Sequence, residues 1–272
     1  MAQRLTDSSP EQRMATERAM FEMACADMEK LHAEQRPFFL TIVGSIGHSP
    51  FIDLRSPADR ARGPASREVR MANLAMFQDQ LIGSVVAKLR KMEILDDTIL
   101  LITGDHGSRS AVDYPGMDLP YVSEVSYHVP MVIHYPAAFS KPAVIRRLTS
   151  HIDIVPTILE LMGLNKAGYL HQGLSMFDKA LDDRVTFFFG EHFFAADAFH
   201  YRGQFMMWFH KASTVYLNDK FLFNAPSLVA AASKNETANR MTTAFSSFRK
   251  AQWEWLSYLQ SSGDRMPAVS VR

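Results

Sequence analysis

The sequence has 272 residues, 47% of them hydrophobic, with 29 basic and 29 acidic side chains, a composition that buries a sizeable core. Zero formal net charge and a pI near 7.2 provide no basic face to displace counterions, which argues against nucleic acid as a partner. The single cysteine excludes an internal disulfide framework, no apolar run approaches the roughly 18 residues that span a bilayer, and the charged N-terminal residues do not read as a signal peptide.

Residues Ser9 to Ala33 read as a charged, Met-rich amphipathic helix stopped before Pro37. Cys25 within it reads as a small buried side chain rather than a reactive thiol. Phe38 to Val43 is an apolar run of strand length, predicted to be buried, and it ends in the loop Gly44 to Phe51 that carries His48. Leu54 to Ser66, rich in Arg, Pro, Ala and Asp, reads as an exposed excursion. The following helix places Leu74, Phe77, Leu81, Val85 and Leu89 at spacings of three and four, a stripe that faces a core.

After the turn at Asp96-Asp97, Thr98 to Thr103 is a continuous β-prone run, predicted to be a strand covered on both faces, and it leads directly into Gly104-Asp105-His106-Gly107. Val129 to Tyr135 is a further strand. Ser150-His151-Ile152-Asp153 precedes a helix through Leu161 closed by Gly163, with Asp153 read as its cap and Pro156 as a first-turn residue. Beyond Gly173, Arg184 to Phe189 reads as a strand, the aromatic tract Phe199 to Phe223 as one or two antiparallel strands, and Phe245 to Leu259 as a helix. This order predicts an α/β fold: a doubly wound, mostly parallel sheet flanked by helices, with a small C-terminal antiparallel extension. Residues 1–180 form the partial α/β core and 181–272 the C-terminal strands and helix. Ligands of such sheets bind at the carboxyl ends of strands, where both polar clusters fall.

An Asp-His pair flanked by glycines offers a carboxylate oxygen and an imidazole nitrogen to one point, and the glycines let the backbone turn sharply enough to aim both. By itself the tetrapeptide suits an ordinary turn as well as a metal site. Its context is more specific. Asp97-Thr98 followed by an apolar strand and Asp105-His106-Gly107 resembles the sulfatase and alkaline phosphatase superfamily, in which a "DNT" or "DDT" turn, a strand and "DHG" or "DNG" follow one another. Pro37-Phe38-Phe39-Leu40 and His48-Ser49-Pro50-Phe51 resemble that family's "PFFL" strand and histidine loop. His128 to Pro136 is similar to its "RVPLIIYxP" strand, Ser150 to Leu159 to "SHIDIxPTIL", and Gly173-Leu174-Ser175 to "GxSL".

The resemblance implies an alkaline phosphatase-like fold in which Asp105 and His106 bind a catalytic divalent metal ion, manganese or zinc ahead of calcium because imidazole suits transition ions. It implies that His48 contacts the substrate's anionic group or leaving oxygen, where an imidazole can donate a proton. His128, standing where the family usually has a basic residue, and Arg109, just beyond the metal pair, are candidate anion contacts; for both the rival reading is a solvated surface side chain. His151 suits a structural role as well as one facing the site, and Glu191-His192 reads as structural.

The implied substrate is a small anionic ester, free or carried on a glycan or lipid, and the implied activity is metal-dependent hydrolysis of sulfate esters. Phosphoethanolamine or glycerophosphate-type transfer, phosphodiester hydrolysis, and a non-catalytic binding module on the same fold are the alternatives. The family's nucleophile, a formylglycine within "CxPxR" or "SxPxR" or a Thr or Ser in the phosphotransferases, has no counterpart here: Cys25 is followed by Ala26-Asp27-Met28. The chain therefore reads as the C-terminal part of such a domain, expected to be nearly inactive alone, from a family that is often extracytoplasmic or lysosomal.

Overall fold

A computed structural model describes residues 9–48, 50–107, 127–164 and 173–189, the strand residues 196–201, 204–209, 214–218 and 229–230, and helical positions between 243 and 258. The chain divides into two compact units, Met1–Leu100 with Tyr135–Phe139, and Leu101–His134 with Ser140–Arg272. Among the described residues, no helix is long and apolar enough to cross a membrane.

The first unit is built on two long helices. Helix α1 (Pro10–Ala33) starts at Ser9, whose hydroxyl accepts from the Gln12 amide while the Gln12 side chain accepts from the Ser9 amide, a capping box with proline in the first turn. Ser56 caps the short α2 (Pro57–Ala61) by accepting from the Asp59 amide, and Ser66 caps α3 (Arg67–Lys91) by accepting from the Val69 amide. All five stripe residues of α3 are buried, and they join Phe21, Cys25 and Met28 of α1 in one cluster. Each such side chain contributes about 1.5–3 kcal/mol on full burial. Lys88 of α3 pairs with Glu29 of α1 at 2.6 Å, and the Arg18 guanidinium lies over the Phe77 ring at 4.9 Å. Burial pushes the Cys25 thiol up, which suppresses the thiolate and fits an inert side chain.

Two expectations for this unit require correction. Phe38 to Val43 is not a buried strand: Phe38 and Ile42 pack on the helical cluster, but Phe39 is 81% and Val43 72% exposed. A strand exists only with a hydrogen-bonded neighbour, and no described residue pairs with this backbone. The segment Leu54 to Ser66 is not an open excursion either. Arg55 grips Asp53 at 2.6 and 2.9 Å, and Arg60 donates to the carbonyls of Asp53 and Arg55 at 3.1 Å and pairs with Glu11 of α1.

In the second unit, strands β1 (Leu100–Thr103) and β2 (Met131–His134) form a two-stranded sheet. They are shorter than expected and β1 is only half-buried, not covered on both faces. A 3-10 turn, His151–Asp153, leads into α4 (Ile154–Leu161). That helix ends at Gly163 in the left-handed region, φ 73°, where the Leu164 amide reaches back to the Leu159 carbonyl at 2.7 Å, as glycine permits.

Asp153 does not cap α4 with its side chain. Fully buried, it accepts from the amides of Ser150 at 2.7 Å and Leu174 at 3.0 Å and receives both Arg184 guanidinium nitrogens, Nη2 at 2.8 Å. The Thr157 hydroxyl adds a bond from the Met176 amide at 2.9 Å. Residues 173–184 are thereby tied down onto the start of α4.

The expected C-terminal extension is antiparallel, and larger than one or two strands after β3. Strands β3 (Thr186–Phe189), β4 (Ala196–Tyr201), β5 (Gln204–Phe209), β6 (Thr214–Asn218) and β7 (Val229–Ala230) pair in chain order, with Phe188 opposite Ala198 and Met207 opposite Tyr216. The described strands thus make a pair and a five-stranded antiparallel sheet. The doubly wound parallel sheet expected is not seen among the described residues, where the segment 38–43 that was to extend it pairs with no strand.

Candidate functional site

The turn after β1 holds the Asp-His pair. Asp105 Oδ1 accepts from the His106 amide at 2.8 Å, so its Oδ2 is the oxygen left to point outward. The His106 ring lies with Nδ1 at 2.8 Å from the Gly107 carbonyl. A carbonyl carries no proton, so Nδ1 is the donor, and the lone pair of a neutral ring then sits on Nε2. That Nε2 is 3.5 Å from Asp105 Oδ2. Two ligands of a tetrahedral ion with bonds of 2.0–2.1 Å stand about 3.4 Å apart, so the donor atoms present have the spacing of a shared coordination sphere. Both side chains are exposed. Among the described residues, no group of three or more His, Cys, Asp or Glu gathers at one point.

The surroundings of this turn come from two other elements of the same unit. His151 Nε2 donates to the Gly104 carbonyl at 2.8 Å, placing the 3-10 turn before α4 against the residue that precedes Asp105. The Val129 side chain covers Gly104 so closely that an added Cβ would meet it at 3.1 Å, which explains glycine here better than any need for a special φ. His128, exposed and immediately before Val129, therefore follows the chain past the same turn. The structure brings His151 and Val129 against Gly104, beside the Asp105-His106 pair. Of these, His151 was left open by sequence reasoning; the signal was its place one element ahead of α4, where an α/β strand end would face it.

His48 belongs to the first unit. Its loop is held by two buried charges of α1 that no motif singled out. Glu17 Oε1 accepts from the amides of Ser45 at 2.7 Å and Ile46 at 3.3 Å, and Oε2 from the Ser45 hydroxyl at 3.0 Å. Arg13 donates to the carbonyls of Pro50 at 2.9 Å, His48 at 3.3 Å and Ser45 at 3.4 Å. Ile46 is buried in the helical cluster, and the His48 residue is exposed. Arg109 and Glu191-His192 lie outside the described residues.

Known proteins resemble this chain over much of its length. The family model described as Sulfatase matches residues 7–164, more than half of the chain. Lipoteichoic acid synthase 1 of Bacillus subtilis (strain 168) is 25% identical over 167 residues, covering 58% of this chain and 26% of that protein. Arylsulfatase K of Mus musculus is 32% identical over 98 residues, covering 34% of this chain and 17% of that protein. The chain thus spans about a quarter or less of these relatives. Among solved structures, the lipoteichoic acid synthase LtaP from Listeria monocytogenes has a TM-score of 0.54 at 18% identity, over 92% of this chain and 60% of that one. Ps i-CgsB, solved with k-i-k-neocarrahexaose, has a TM-score of 0.59 at 18% identity, over 87% and 54%. These structures share its fold, and the match over residues 7–164 establishes that the chain belongs to the sulfatase family.

Proposed function

We propose that this chain forms part of a metal-dependent enzyme that displaces a group at a sulfate or phosphate ester. The observation that carries this reading is the Asp105-His106 pair, whose outward oxygen and nitrogen stand 3.5 Å apart while their other polar atoms are bonded to local backbone. Asp105 and His106 would hold the divalent ion, manganese or zinc ahead of calcium, and the ion would polarise an ester oxygen. His48 supplies a proton to the leaving oxygen or neutralises its developing charge. His128 and Arg109 would contact the anion, and His151 holds the Gly104 carbonyl and so sets the direction of the turn.

His106 favours the phosphate branch, because a nitrogen ligand in that place suits transition ions better than calcium. The match to lipoteichoic acid synthase 1 also covers more of the chain than that to arylsulfatase K. Transfer or hydrolysis of a glycerophosphate-type ester carried on a lipid or glycan is therefore the finer reading, with sulfate ester hydrolysis as the second, favoured by the arylsulfatase K match. The 272-residue chain offers no recognisable nucleophile, so its own turnover should stay near background. Titration of Mn2+ followed by its electron paramagnetic resonance should show weak binding that disappears in Asp105→Ala. Equal binding by the variant refutes the metal pair. Turnover of bis(p-nitrophenyl) phosphate against p-nitrophenyl sulfate by the chain with its native flanking sequence decides between the branches.

A further inference from the structure

Arg13 and Glu17 lie one helical turn apart on α1 and are 5% and 3% exposed, yet neither takes part in any of the described ion pairs. Buried charges are retained where something compensates them, and here the compensation comes from the loop, by its backbone and the Ser45 hydroxyl. A carboxylate sits under two amides at the start of the loop, and a guanidinium sits under three carbonyls spread to its end. The approach is close: a Cβ on Gly44 would stand 2.8 Å from Glu17 Oε1, and one on Gly47 3.3 Å from Gln78 Nε2 of α3. Ile46 plugs the loop into the helical cluster, and the His48 amide closes a turn on the Ser45 carbonyl at 3.0 Å. Residues 44–48 and Pro50 are thus fixed from the core side while His48 stands on the open side, an arrangement that orients a working side chain through its backbone.

We infer that Arg13 and Glu17 are positioning residues for His48, holding its loop so that the imidazole is presented in one orientation. This rests on the part proposed above for His48. A solely structural pair would stabilise the whole unit, whereas a positioning pair acts on the loop with the helices intact.

The test uses the 272-residue chain with Glu17→Gln, Glu17→Ala, Arg13→Lys and Arg13→Ala, and with Glu22→Ala on the exposed side of α1 as the control. Amide hydrogen exchange is read at Ser45, Ile46 and His48 and, for comparison, along α3, together with the NMR resonances of the His48 ring. Glu17→Ala should speed exchange at Ser45 and Ile46 by about ten-fold or more, with Glu17→Gln between it and the unaltered chain, while α3 changes by less than about two-fold. Arg13→Lys should restore only part of what Arg13→Ala loses, because an ammonium cannot fork to three carbonyls. In both alanine variants the His48 resonances should move toward those of an unstructured peptide, and in Glu22→Ala they should stay. Unchanged exchange at Ser45 and Ile46, or a rise that α3 matches, overturns the inference. Titration with inorganic phosphate separates it from the underlying reading: His48 resonances indifferent to phosphate in the unaltered chain would remove the part proposed for His48, while the exchange data judge the brace alone.

Discussion

Replacing Asp153 with alanine should be far more damaging than the loss of a helix cap, and the structure gives the size. A capping aspartate is worth about 1 kcal/mol. Asp153 is 0% exposed and accepts two amides as well as both terminal nitrogens of Arg184, whose side chain is 13% exposed. Its removal leaves a guanidinium in a poorly solvated place with its carboxylate gone, and such a break costs about 3–5 kcal/mol. The two orphaned amides belong to Ser150 and Leu174, so the 3-10 turn bearing His151 and the segment 173–184 loosen together. Urea unfolding followed by circular dichroism should show the loss in Asp153→Ala, with a smaller one in Asp153→Asn, which keeps an acceptor for the amides. Combining Asp153→Leu with Arg184→Met should recover part of it, since a buried pair exchanged for apolar groups is often near neutral. Residual Mn2+ binding should fall with the single variant, because His151 then no longer holds the Gly104 carbonyl. A loss within about 1 kcal/mol for Asp153→Ala would restore the helix-cap reading and refute the tie.

Leu89→Ala should cost about 2–5 kcal/mol in the same assay, as its side chain is 1% exposed at the centre of the α1–α3 cluster; a loss below about 1 kcal/mol would mean that the cluster collapses around the gap. Gly173→Ala should prevent stable folding of the second unit, since its methyl group would overlap the Ile152 carbonyl, a backbone group unable to step aside; native-like near-ultraviolet dichroism in that variant would contradict the packing. For pH, Arg55 holds the Asp53 carboxyl well below its ordinary value near 3.8. A depressed folded value means that this contribution is complete above about 3.8 and disappears as pH falls below it. Asp53→Asn should therefore flatten the acid limb of the stability curve below about pH 4 and leave its shape near neutrality unchanged; an unaltered acid limb would remove Asp53 from the account.

The helices were legible because their signals are local. For the two long ones, a Met-rich amphipathic run stopped before Pro37 and a spacing of three and four from Leu74 to Leu89 mark the helices, whereas the short helix after Ser56 lay within the stretch read as an excursion. The turn at Asp105-His106 was legible as a turn, because glycines flank the pair at a strand end; only the family resemblance, not the tetrapeptide, singled the pair out as donors. What the sequence hid are matches between distant residues. Phe38 to Val43 has the composition of a buried strand, but strand formation depends on a neighbour that composition cannot announce. Arg13 and Glu17 look like solvated helix charges until the loop at Ser45–Pro50 lies over them. Asp153 looks like a cap because it precedes a helix, and only Arg184, 31 residues later, shows what it binds.

The segment 38–43 has a consequence for handling the protein. Phenyl and isopropyl groups exposed beside amides and carbonyls that no described strand pairs make a template onto which another extended chain can zip. The purified chain should therefore behave as an adhesive: monodisperse when dilute, scattering light steeply as it is concentrated, and clearing with mild urea. A charge set into that row, as in Thr41→Lys, should raise the concentration at which scattering begins, because edge lysines oppose such pairing.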